Sequence, residues 1–201
     1  MNKGVITNCY AIGVVSGSAW VGGLVGMNEG NITNCFATTD VLEGETSGNS
    51  FGGLVGMNSG YIINSYAEGK VHGWCILGGL AGGNSEGDII NCFAKGDVSG
   101  ESAVGGLVGF FPDGNITNSY ATGNVSGDYN VGGLVGEYFY LSAIIEYSYY
   151  DKETTGQDDT GKGIPKTTAE MMQQSTFESW DFTNIWRINE GNSYPYLRWQ
   201  E

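Results

Sequence analysis

The chain has 201 residues, enough for one domain or for one domain with an added cap. It contains 35 glycines but only three prolines, and the glycines follow no Gly-X-Y period, which excludes a collagen triple helix. The 22 acidic and 8 basic residues give a formal net charge of −14, which opposes binding to nucleic acids and to anionic membrane surfaces. No apolar run reaches the roughly 20 residues that a spanning helix needs, so no membrane insertion is predicted.

Two short motifs recur along the first 150 residues in one register. The first is GGLVG, or GGLAG in its third copy, and its copies begin at Gly22, Gly52, Gly78, Gly105 and Gly132. The second is NCYA, NCFA or NSYA, and its copies begin at Asn8, Asn34, Asn64, Asn91 and Asn118. Both motifs keep a period of about 27 residues, which predicts a repeat architecture.

Each repeat contains three short β-prone pieces separated by Gly, Asn, Asp and Pro. Between Val104 and Ser126 these pieces are VGGLVG, NITNSYA and GNVS, and none has helical periodicity. Three strands and three corners in about 27 residues predict one coil of a parallel β-solenoid. The predicted fold is therefore all-β: a parallel β-helix of five to six coils over residues 1–150, followed by a C-terminal cap over residues 151–201.

In such a solenoid each residue stacks on its equivalent one coil away, at about 4.8 Å. Three columns of branched side chains, one for each face, are therefore predicted to fill the interior. The leucine column is Leu24, Leu54, Leu80, Leu107 and Leu134. The isoleucine column is Ile6, Ile32, Ile62, Ile89 and Ile116, and the valine column is Val15, Val41, Val71, Val98 and Val125. The asparagines of the second motif are predicted at corners, because Asn tolerates left-handed backbone, with their amides hydrogen-bonded along the axis.

A column of aromatic rings follows the asparagines: Tyr10, Phe36, Tyr66, Phe93 and Tyr120. Alternation along the strand sends these rings outward, whereas a corner beside the asparagine would reverse the count and give an interior stack. The sequence leaves both orientations open, and the interior stack is the simpler one. An exposed row of rings would instead be a candidate strip for stacking sugars or docking proteins.

Two departures from the repeat are further candidates for ligand binding. The second unit is longer and contains VLEGETSGNSF between Val41 and Phe51. The third unit carries HGWCILGG, which places His72 and Trp74 in an irregular stretch. If side chains of the solenoid bind a ligand, these departures are the expected places, because they are free of the packing constraint. A lengthened corner loop with no binding role is the more common alternative.

The units resemble GLUG-motif repeats, through the glycine, leucine and glycine of Gly23-Leu24-Val25-Gly26 and its copies, over roughly residues 1–150. Such repeats occur in bacterial and archaeal surface proteins, including adhesin-like and IgA-peptidase-type proteins. The resemblance implies an extracellular or cell-surface stalk or adhesive segment. It does not extend to peptidase chemistry, because a zinc peptidase of that type would need an HExxH motif and His72 is the single histidine.

The cysteines suggest neither a metal site nor a disulfide framework. Cys9, Cys35 and Cys92 occupy one repeat position, where serine stands in the other copies. Neighbouring copies would lie within disulfide range, but stacked side chains aim poorly at one another, so buried thiols are favoured. Cys75 lies elsewhere in its unit and no CxxC pair occurs, so no zinc site or other cofactor is predicted.

The polar segment Asp151 to Gly163 is predicted to be a solvated loop. Asp151, Asp158 and Asp159 of this segment could bind Ca²⁺ through their carboxylates. Their spacing is not that of an EF-hand, so the sequence supports a Ca²⁺ site only weakly. Thr167 and Glu170 then fit a capping box, which predicts one short helix.

The last segment is rich in aromatic residues and is predicted to form a lid over the last coil, since an open coil exposes core and unpaired backbone. Its cap aromatics are Trp180, Trp186, Tyr194, Tyr196 and Trp199. The GLUG resemblance supports this, because such chains often end in a similar W-x-I-x-x-G-x-Y-P-x-L stretch. The first coil has no comparable lid, which predicts further repeats or another copy of the chain at the N-terminal end.

These features together predict a non-catalytic cell-surface or secreted repeat module, an adhesin or stalk segment whose partner is a host or environmental glycan or a protein surface. The first alternative is a filament subunit that stacks end to end through its open first coil. The second and weaker alternative is a carbohydrate-active β-helix enzyme, because the acidic residues are scattered and both arginines lie in the cap. No catalytic or metal-binding residues are predicted.

Overall fold

The chain winds into a parallel β-solenoid of about five turns, with a C-terminal segment folded back along one of its faces. The structure is a computed structural model that describes residues 1–201, with the side chains of residues 1–139 and 142–201. The predicted all-β fold with a repeat of about 27 residues is confirmed.

The strands are short and are numbered in chain order. Residues 1–58 form β1 (Val5–Thr7), β2 (Tyr10–Gly17), β3 (Val21–Gly22), β4 (Val25–Asn28), β5 (Asn31–Thr33), β6 (Phe36–Glu43), β7 (Asn49–Gly52) and β8 (Val55–Asn58). Residues 61–117 form β9 (Tyr61–Ile63), β10 (Tyr66–Ala67), β11 (Val71–His72), β12 (Cys75–Gly78), β13 (Ala81–Asn84), β14 (Asp88–Ile90), β15 (Phe93–Ala94), β16 (Val98–Ser99), β17 (Ser102–Gly105) and β18 (Val108–Thr117). Residues 120–197 form β19 (Tyr120–Ala121), β20 (Val125–Ser126), β21 (Tyr129–Gly132), β22 (Val135–Glu146), β23 (Tyr149–Asp151), β24 (Ile164–Lys166), β25 (Trp186–Arg187) and β26 (Tyr196–Leu197).

Three parallel sheets form the three faces of the solenoid. The first runs β1-β5-β9-β14-β18-β13-β8-β4, with β22 also paired to β18. The second runs β20-β16-β11-β6-β10-β15-β19-β23-β24, with β2 paired to β6, and the third runs β21-β17-β12-β7-β3. One coil runs from β12 in the third sheet through β13 and β14 in the first sheet to β15 and β16 in the second. Like this coil, most coils contribute two short strands each to the first and second sheets. Equivalent residues pair from coil to coil, as Ile62 does with Ile89 and Ile89 with Ile116.

The paired glycines of GGLVG form the corner between the third sheet and the first. A Cβ at Gly105 would lie 2.0 Å from the carbonyl oxygen of Val108, and one at Gly106 would lie 2.2 Å from that of Gly133 in the next coil. No side chain fits at this backbone approach, so glycine is required here. VGGLVG, expected as one strand, is divided by this corner.

The asparagine corners are confirmed. Left-handed backbone, with φ of 53°, 53°, 48°, 54° and 49°, occurs at Asn8, Asn34, Asn64, Asn91 and Asn118. A sixth corner has φ of 47° at Tyr147, where the motif has degenerated. These corners divide NITNSYA between the first sheet and the second. The predicted amide ladder does not run along this column: Asn91 Nδ2 donates to Asn64 Oδ1 at 3.0 Å, but the buried Oδ1 atoms of Asn34 and Asn118 accept no hydrogen bond.

A continuous amide ladder forms instead at a second set of asparagines in the first sheet. Asn2 Nδ2 donates to Asn28 Oδ1 at 2.7 Å, Asn28 Nδ2 donates to Asn58 Oδ1 at 2.7 Å, and Asn58 Nδ2 donates to Asn84 Oδ1 at 2.6 Å. Asn28, Asn58 and Asn84 are buried, so water cannot hydrogen-bond to their side-chain amides. The neighbouring amides of the ladder provide these hydrogen bonds instead.

The predicted interior columns are confirmed. From the second coil onward the leucine, isoleucine and valine columns are buried in two hydrophobic clusters. In the first coil their members Ile6, Val15 and Leu24 are only half-buried, because β1 to β4 are edge strands. Val5 and Ile12 of this coil are 69% and 71% exposed.

The last coil is closed by a buried ring and a loop. Tyr150 stands where Ala121 stands one coil earlier, and its ring lies against Gly133 and fills the end of the interior. Across this end lies the loop 156–163, in which Lys162 Nζ donates to the carbonyl oxygens of Val131 at 3.0 Å and Gly136 at 2.8 Å. The segment that was expected to be a solvated loop is therefore docked on the last coil, because its polar side chains pair with backbone groups that the solenoid leaves unpaired.

The C-terminal segment contains four short helical elements rather than the one predicted. These are α1 (Lys152–Thr155), α2 (Thr168–Met171) and the 3₁₀ helices Gln174–Thr176 and Arg198–Gln200. The predicted helix is α2, and its capping box is confirmed by reciprocal hydrogen bonds between Thr167 and Glu170. No helix of the described residues has the length and apolar character to span a membrane.

Candidate functional site

The column of aromatic rings points away from the interior, as alternation along the strands indicates. The alanine after each ring packs in or against the interior core, and the rings belong to a separate cluster. Successive rings are stacked, with centroid separations of 5.2, 5.1, 4.7 and 5.1 Å along the series Tyr10, Phe36, Tyr66, Phe93 and Tyr120. The corner at the asparagine therefore does not turn the rings into the core.

The C-terminal segment packs over this column. The Trp186 ring lies 6.3 Å from Phe93 and 6.1 Å from Tyr120, between centroids. The Trp199 ring lies 5.7 Å from Tyr66. The aromatic C-terminal segment therefore does not form a lid over the last coil, as was predicted, but a strap of residues 177–199 along the side of the solenoid. It lies there because the outward rings, stacked in a row, form an apolar stripe that would otherwise contact water.

Directional hydrogen bonds hold the strap in register with the column. Trp199 Nε1 donates to the carbonyl oxygen of Asn64 at 2.9 Å, and the Tyr120 hydroxyl donates to that of Pro195 at 2.6 Å. Two of the predicted cap aromatics are buried, namely Trp180 and Trp186. The other three are half-buried: Tyr194, Tyr196 and Trp199.

Exposure along the ring column therefore falls sharply from one end to the other. Tyr10 is 64% exposed and Phe36 is half-buried, whereas Phe93 and Tyr120 are fully buried and Tyr66 is 8% exposed. Three of the five candidate binding rings thus contact protein rather than solvent, and the strip available to a ligand in this arrangement ends at Phe36.

The other two candidate binding residues, His72 and Trp74, lie on one open groove of about 610 Å³ at the corner between the second and third sheets. Three rows of residues from successive coils form it, and we call it the Trp74 groove. One rim is His72, Ser99 and Ser126; the floor is Gly73, Gly100 and Gly127; the other rim is Trp74, Glu101 and Asp128. Glu43, from the longer second unit, lines the same groove.

The interior core packs directly beneath the glycines that form the floor of the groove. A Cβ at Gly100 would lie 2.0 Å from Leu77 Cδ1, and a Cβ at Gly127 would lie 2.8 Å from Val104 Cγ2. Both neighbours belong to the buried core beneath the groove. A side chain at Gly100 or Gly127 would therefore displace core side chains, and glycine at these positions leaves the channel above them open.

Backbone hydrogen bonds between coils make the groove rigid. Trp74 O accepts from Glu101 N at 2.9 Å, and Glu101 O accepts from Asp128 N at 2.9 Å. On the opposite rim His72 Nδ1 and Ser99 Oγ are 3.0 Å apart and share a hydrogen bond. His72, Ser99 and Ser126 lie in paired parallel strands, and Trp74, Glu101 and Asp128 lie just before the next strands of the same coils. The side chains of each rim therefore repeat at about 4.8 Å along the solenoid axis.

The groove is negatively charged and has an aromatic side chain at one end. None of the ion pairs formed by the described residues includes Glu43, Glu101 or Asp128. Trp74 is 51% exposed. Burial raises the pKa of the neighbouring Cys75 thiol, and the charges of Glu43 and Glu101 raise it further, which reports a negative potential at this corner.

Sequence reasoning named His72, Trp74 and the longer second unit that contains Glu43, but it missed Glu101 and Asp128. The repeat itself carried the missing signal: Gly73, Gly100 and Gly127 are equivalent, and the residues that follow them are tryptophan, glutamate and aspartate. A position that changes type in every coil is one that does not stack on itself. Aligning the units on this glycine would have grouped the rim.

The four cysteines form no disulfide. Cys35 and Cys92 are buried thiols, as expected, and burial raises the pKa of Cys92 to about 12. Cys9 is exposed instead, because its coil is the open one. The buried thiols therefore stay protonated at neutral pH and pack as small side chains.

Asp151, part of the candidate Ca²⁺ set, is fully buried and serves as the N-cap of α1. Its Oδ1 accepts from the backbone amides of Glu153 and Thr154, and its Oδ2 accepts from the hydroxyls of Thr168 and Tyr194 at 2.7 and 2.6 Å. Among the described residues no group of three or more His, Cys, Asp or Glu side chains is placed to hold a metal ion.

Comparison with known proteins finds a family model that matches three segments of the chain. Residues 17–42, 75–99 and 100–126 match the family model described as the GLUG motif. A curated relative from Evansella cellulosilytica, named "Putative Gly-rich membrane protein", is 54% identical over 57 residues. That match covers 27% of this chain and 6% of the relative, so the chain corresponds to a small part of that protein.

A solved structure shares the fold. The crystal structure described as "a putative immunoglobulin A1 protease from Bacteroides ovatus" superimposes with a TM-score of 0.54 at 23% identity. The superposition covers 98% of this chain and 58% of that chain. At this identity the likeness concerns the fold alone.

Proposed function

We propose that this chain, three segments of which match the GLUG motif, is a non-catalytic module of a surface or secreted protein, an adhesive stalk segment that binds a partner through its outer face. One observation carries the proposal: the solenoid is uniform wherever residues stack, and an open groove lies where the coils differ. The partner is a glycan or a protein surface outside the cell that carries the module.

The rod-like architecture supports this role. Each coil is tied to its neighbours by parallel backbone hydrogen bonds in all three sheets, which gives a stiff element that holds a binding face at a defined distance. The net charge of −14 keeps such a surface soluble and discourages contact with nucleic acid and anionic membranes.

Binding without catalysis fits the geometry of the groove better than hydrolysis does. A glycosidase needs two carboxyl groups on opposite sides of the scissile bond. Glu101 and Asp128 are consecutive members of one rim, and the facing rim carries His72 and two serines. Glu43 lies in the coil before Trp74, and its Oε1 accepts a hydrogen bond from Gly48 N at 2.9 Å. The two rims therefore carry carboxylates on one side only, and they do not bracket a bond between an acid and a base.

The proposal is tested by coating inert beads with the chain and measuring attachment to arrayed glycans and to immobilised extracellular-matrix proteins. Beads coated with a globular protein of similar negative charge are the control. We expect saturable attachment that exceeds the control, with the captured ligand recovered intact by mass spectrometry. Attachment equal to the control would contradict the adhesive role, and cleavage of the ligand would show an enzyme.

End-to-end filament growth is the second candidate, and its support lies in the edge strands of the first coil. Growth would require the opposite end to accept β1 to β4, but loop 156–163 already occupies carbonyl groups there. The open first coil is then available to further repeats or to another copy, which would give a closed pair rather than a filament. Light scattering across concentration separates these: continued growth supports the filament, and a monomer or dimer plateau opposes it.

A further inference from the structure

We propose that the Trp74 groove binds an extended, lysine- or arginine-rich segment of a partner protein. This inference rests on the proposed function, because it names the partner of the adhesive module. It is carried by three properties of the groove that were described above: uncompensated negative charge, an exposed indole and a straight, rigid floor.

Charge complementarity selects a cationic occupant. Glu43, Glu101 and Asp128 line the groove and none of them takes part in an ion pair formed by the described residues. A neutral ligand would leave these carboxylates uncompensated while displacing their water, which is unfavourable. Ammonium or guanidinium groups would instead form charge-assisted hydrogen bonds with them.

The indole of Trp74 adds a second preference for a cation. Tryptophan is the side chain whose ring face attracts ammonium and guanidinium groups most strongly. Trp74 is half exposed and heads the rim that continues with Glu101 and Asp128. One cationic side chain can therefore lie on the ring while another, two residues further along the extended peptide, pairs with a carboxylate of the same rim.

The shape of the groove favours an extended peptide over a compact ligand. The rims run along the axis through three coils, so each rim spans about 10 Å at 4.8 Å per step. An extended chain rises about 3.3 Å per residue, and a segment of three to four residues therefore fits. The glycine floor leaves room for the peptide backbone, and Ser99 and Ser126 on the opposite rim offer hydroxyl groups to it.

The test is calorimetric titration of the intact chain with hexalysine and with hexaarginine, at low and at high salt. The groove variants are the double substitution Glu101→Gln/Asp128→Asn and the single substitution Trp74→Ala. The matched control is Glu146→Gln/Glu178→Gln, which changes the charge equally at two exposed residues outside the groove. Circular dichroism confirms that each variant is folded.

We expect binding of at least one peptide that weakens at high salt. The groove double variant should lose affinity by at least tenfold, Trp74→Ala by about two- to fivefold, and the control by less than twofold. Equal losses in the groove and control variants would overturn the inference, since binding would then follow net charge alone.

Two further outcomes separate this inference from the proposed function. If coated beads attach to a partner but neither peptide binds, the cationic-peptide assignment fails and the adhesive function stands. If an oligomer of glucosamine or a neutral oligosaccharide binds in the groove and neither peptide does, the peptide assignment also fails. Peptide binding that depends on the groove, together with beads that attach to nothing, contradicts the adhesive function while upholding the groove as a cation site.

Discussion

The ring column and the Trp74 groove are two outer surfaces of the solenoid that carry aromatic side chains. They differ in whether the aromatic residue recurs from coil to coil. The ring column has an aromatic residue at the same position of every coil, and the C-terminal strap covers most of it. The Trp74 groove has its aromatic residue in one coil, with glutamate and aspartate at the equivalent positions of the next two. Most rings of the column are buried from solvent, whereas Trp74 is about half exposed.

This difference teaches how to read a stacked repeat. A side chain that recurs in every coil packs on its own copies, and its conservation along the chain is explained by that stacking. A position whose residue type changes from coil to coil carries no such constraint, so its side chains are available for recognition. On this account the ring column stabilises the protein and the groove binds.

The largest expected effect of a single substitution is on the covered face. Trp186→Ala removes a fully buried indole that contacts Phe93 and Tyr120, so the free energy of unfolding should fall by about 3–5 kcal/mol. Urea denaturation measures the loss, and limited proteolysis should show early cleavage within the C-terminal strap. A loss below about 1 kcal/mol would mean that the strap does not protect the column.

A smaller effect is expected at the junction between the last coil and the strap. Asp151→Ala removes the acceptor of Thr168 and Tyr194 and the N-cap of α1, which should lower the free energy of unfolding by about 2–3 kcal/mol. Asp151→Asn keeps one acceptor oxygen and is the matched variant, with an intermediate loss expected in thermal unfolding. Equal stability of Asp151→Ala and the unsubstituted chain would show that the strap docks without this carboxylate.

The covered face should also lose stability at alkaline pH. Burial, together with the hydrogen bond to Asp151, raises the pKa of Tyr194 from 10.0 to about 12. The folded chain therefore keeps the phenol protonated where the unfolded chain ionises it, so this stabilisation is complete below about pH 10 and is lost as the pH rises to about 12. Tyr194→Phe should cost about 1 kcal/mol at neutral pH, and its disadvantage should disappear over that range.

The thermal midpoints of both proteins, measured from pH 8 to pH 12, check this expectation. Midpoints that stay apart by a constant amount across the range would contradict it.

The smallest effect on stability is expected on the open face. Trp74→Ala removes a half-exposed side chain, and the free energy of unfolding should change by no more than about 0.5 kcal/mol. The same substitution should weaken peptide binding, so stability and binding separate on this face. A large loss of stability in thermal unfolding would instead make Trp74 a structural residue, like the rings of the column.

Much of the fold follows from the sequence because stacking makes the same demand in every coil. The leucine, isoleucine and valine columns and the asparagine corners are all visible as fixed intervals. The paired glycines are visible too, but the sequence predicts a single strand for VGGLVG. Only the fold brings the backbone of the next coil to within 2.2 Å of where a Cβ at Gly106 would lie.

The parts that sequence reasoning misses depend on contacts between distant segments. The strap reaches Asn64 from Trp199, 135 residues later in the chain, and no local pattern announces which face it covers. The amide ladder of Asn28, Asn58 and Asn84 was missed because its position is occupied by Phe111 in the following coil, which interrupts the repeat. Glu101 and Asp128 were missed for the opposite reason, since they stand at a position whose residue type does not repeat.

Hydrogen–deuterium exchange with and without hexalysine tests the central claim most directly, because it reports every face of the solenoid in one measurement. The account predicts slower exchange confined to residues 72–74, 99–101 and 126–128, with residues 177–199 unchanged. Faster exchange in residues 177–199, together with protection around Tyr66, Phe93 and Tyr120, would contradict it, since the ligand would then displace the strap and occupy the ring column.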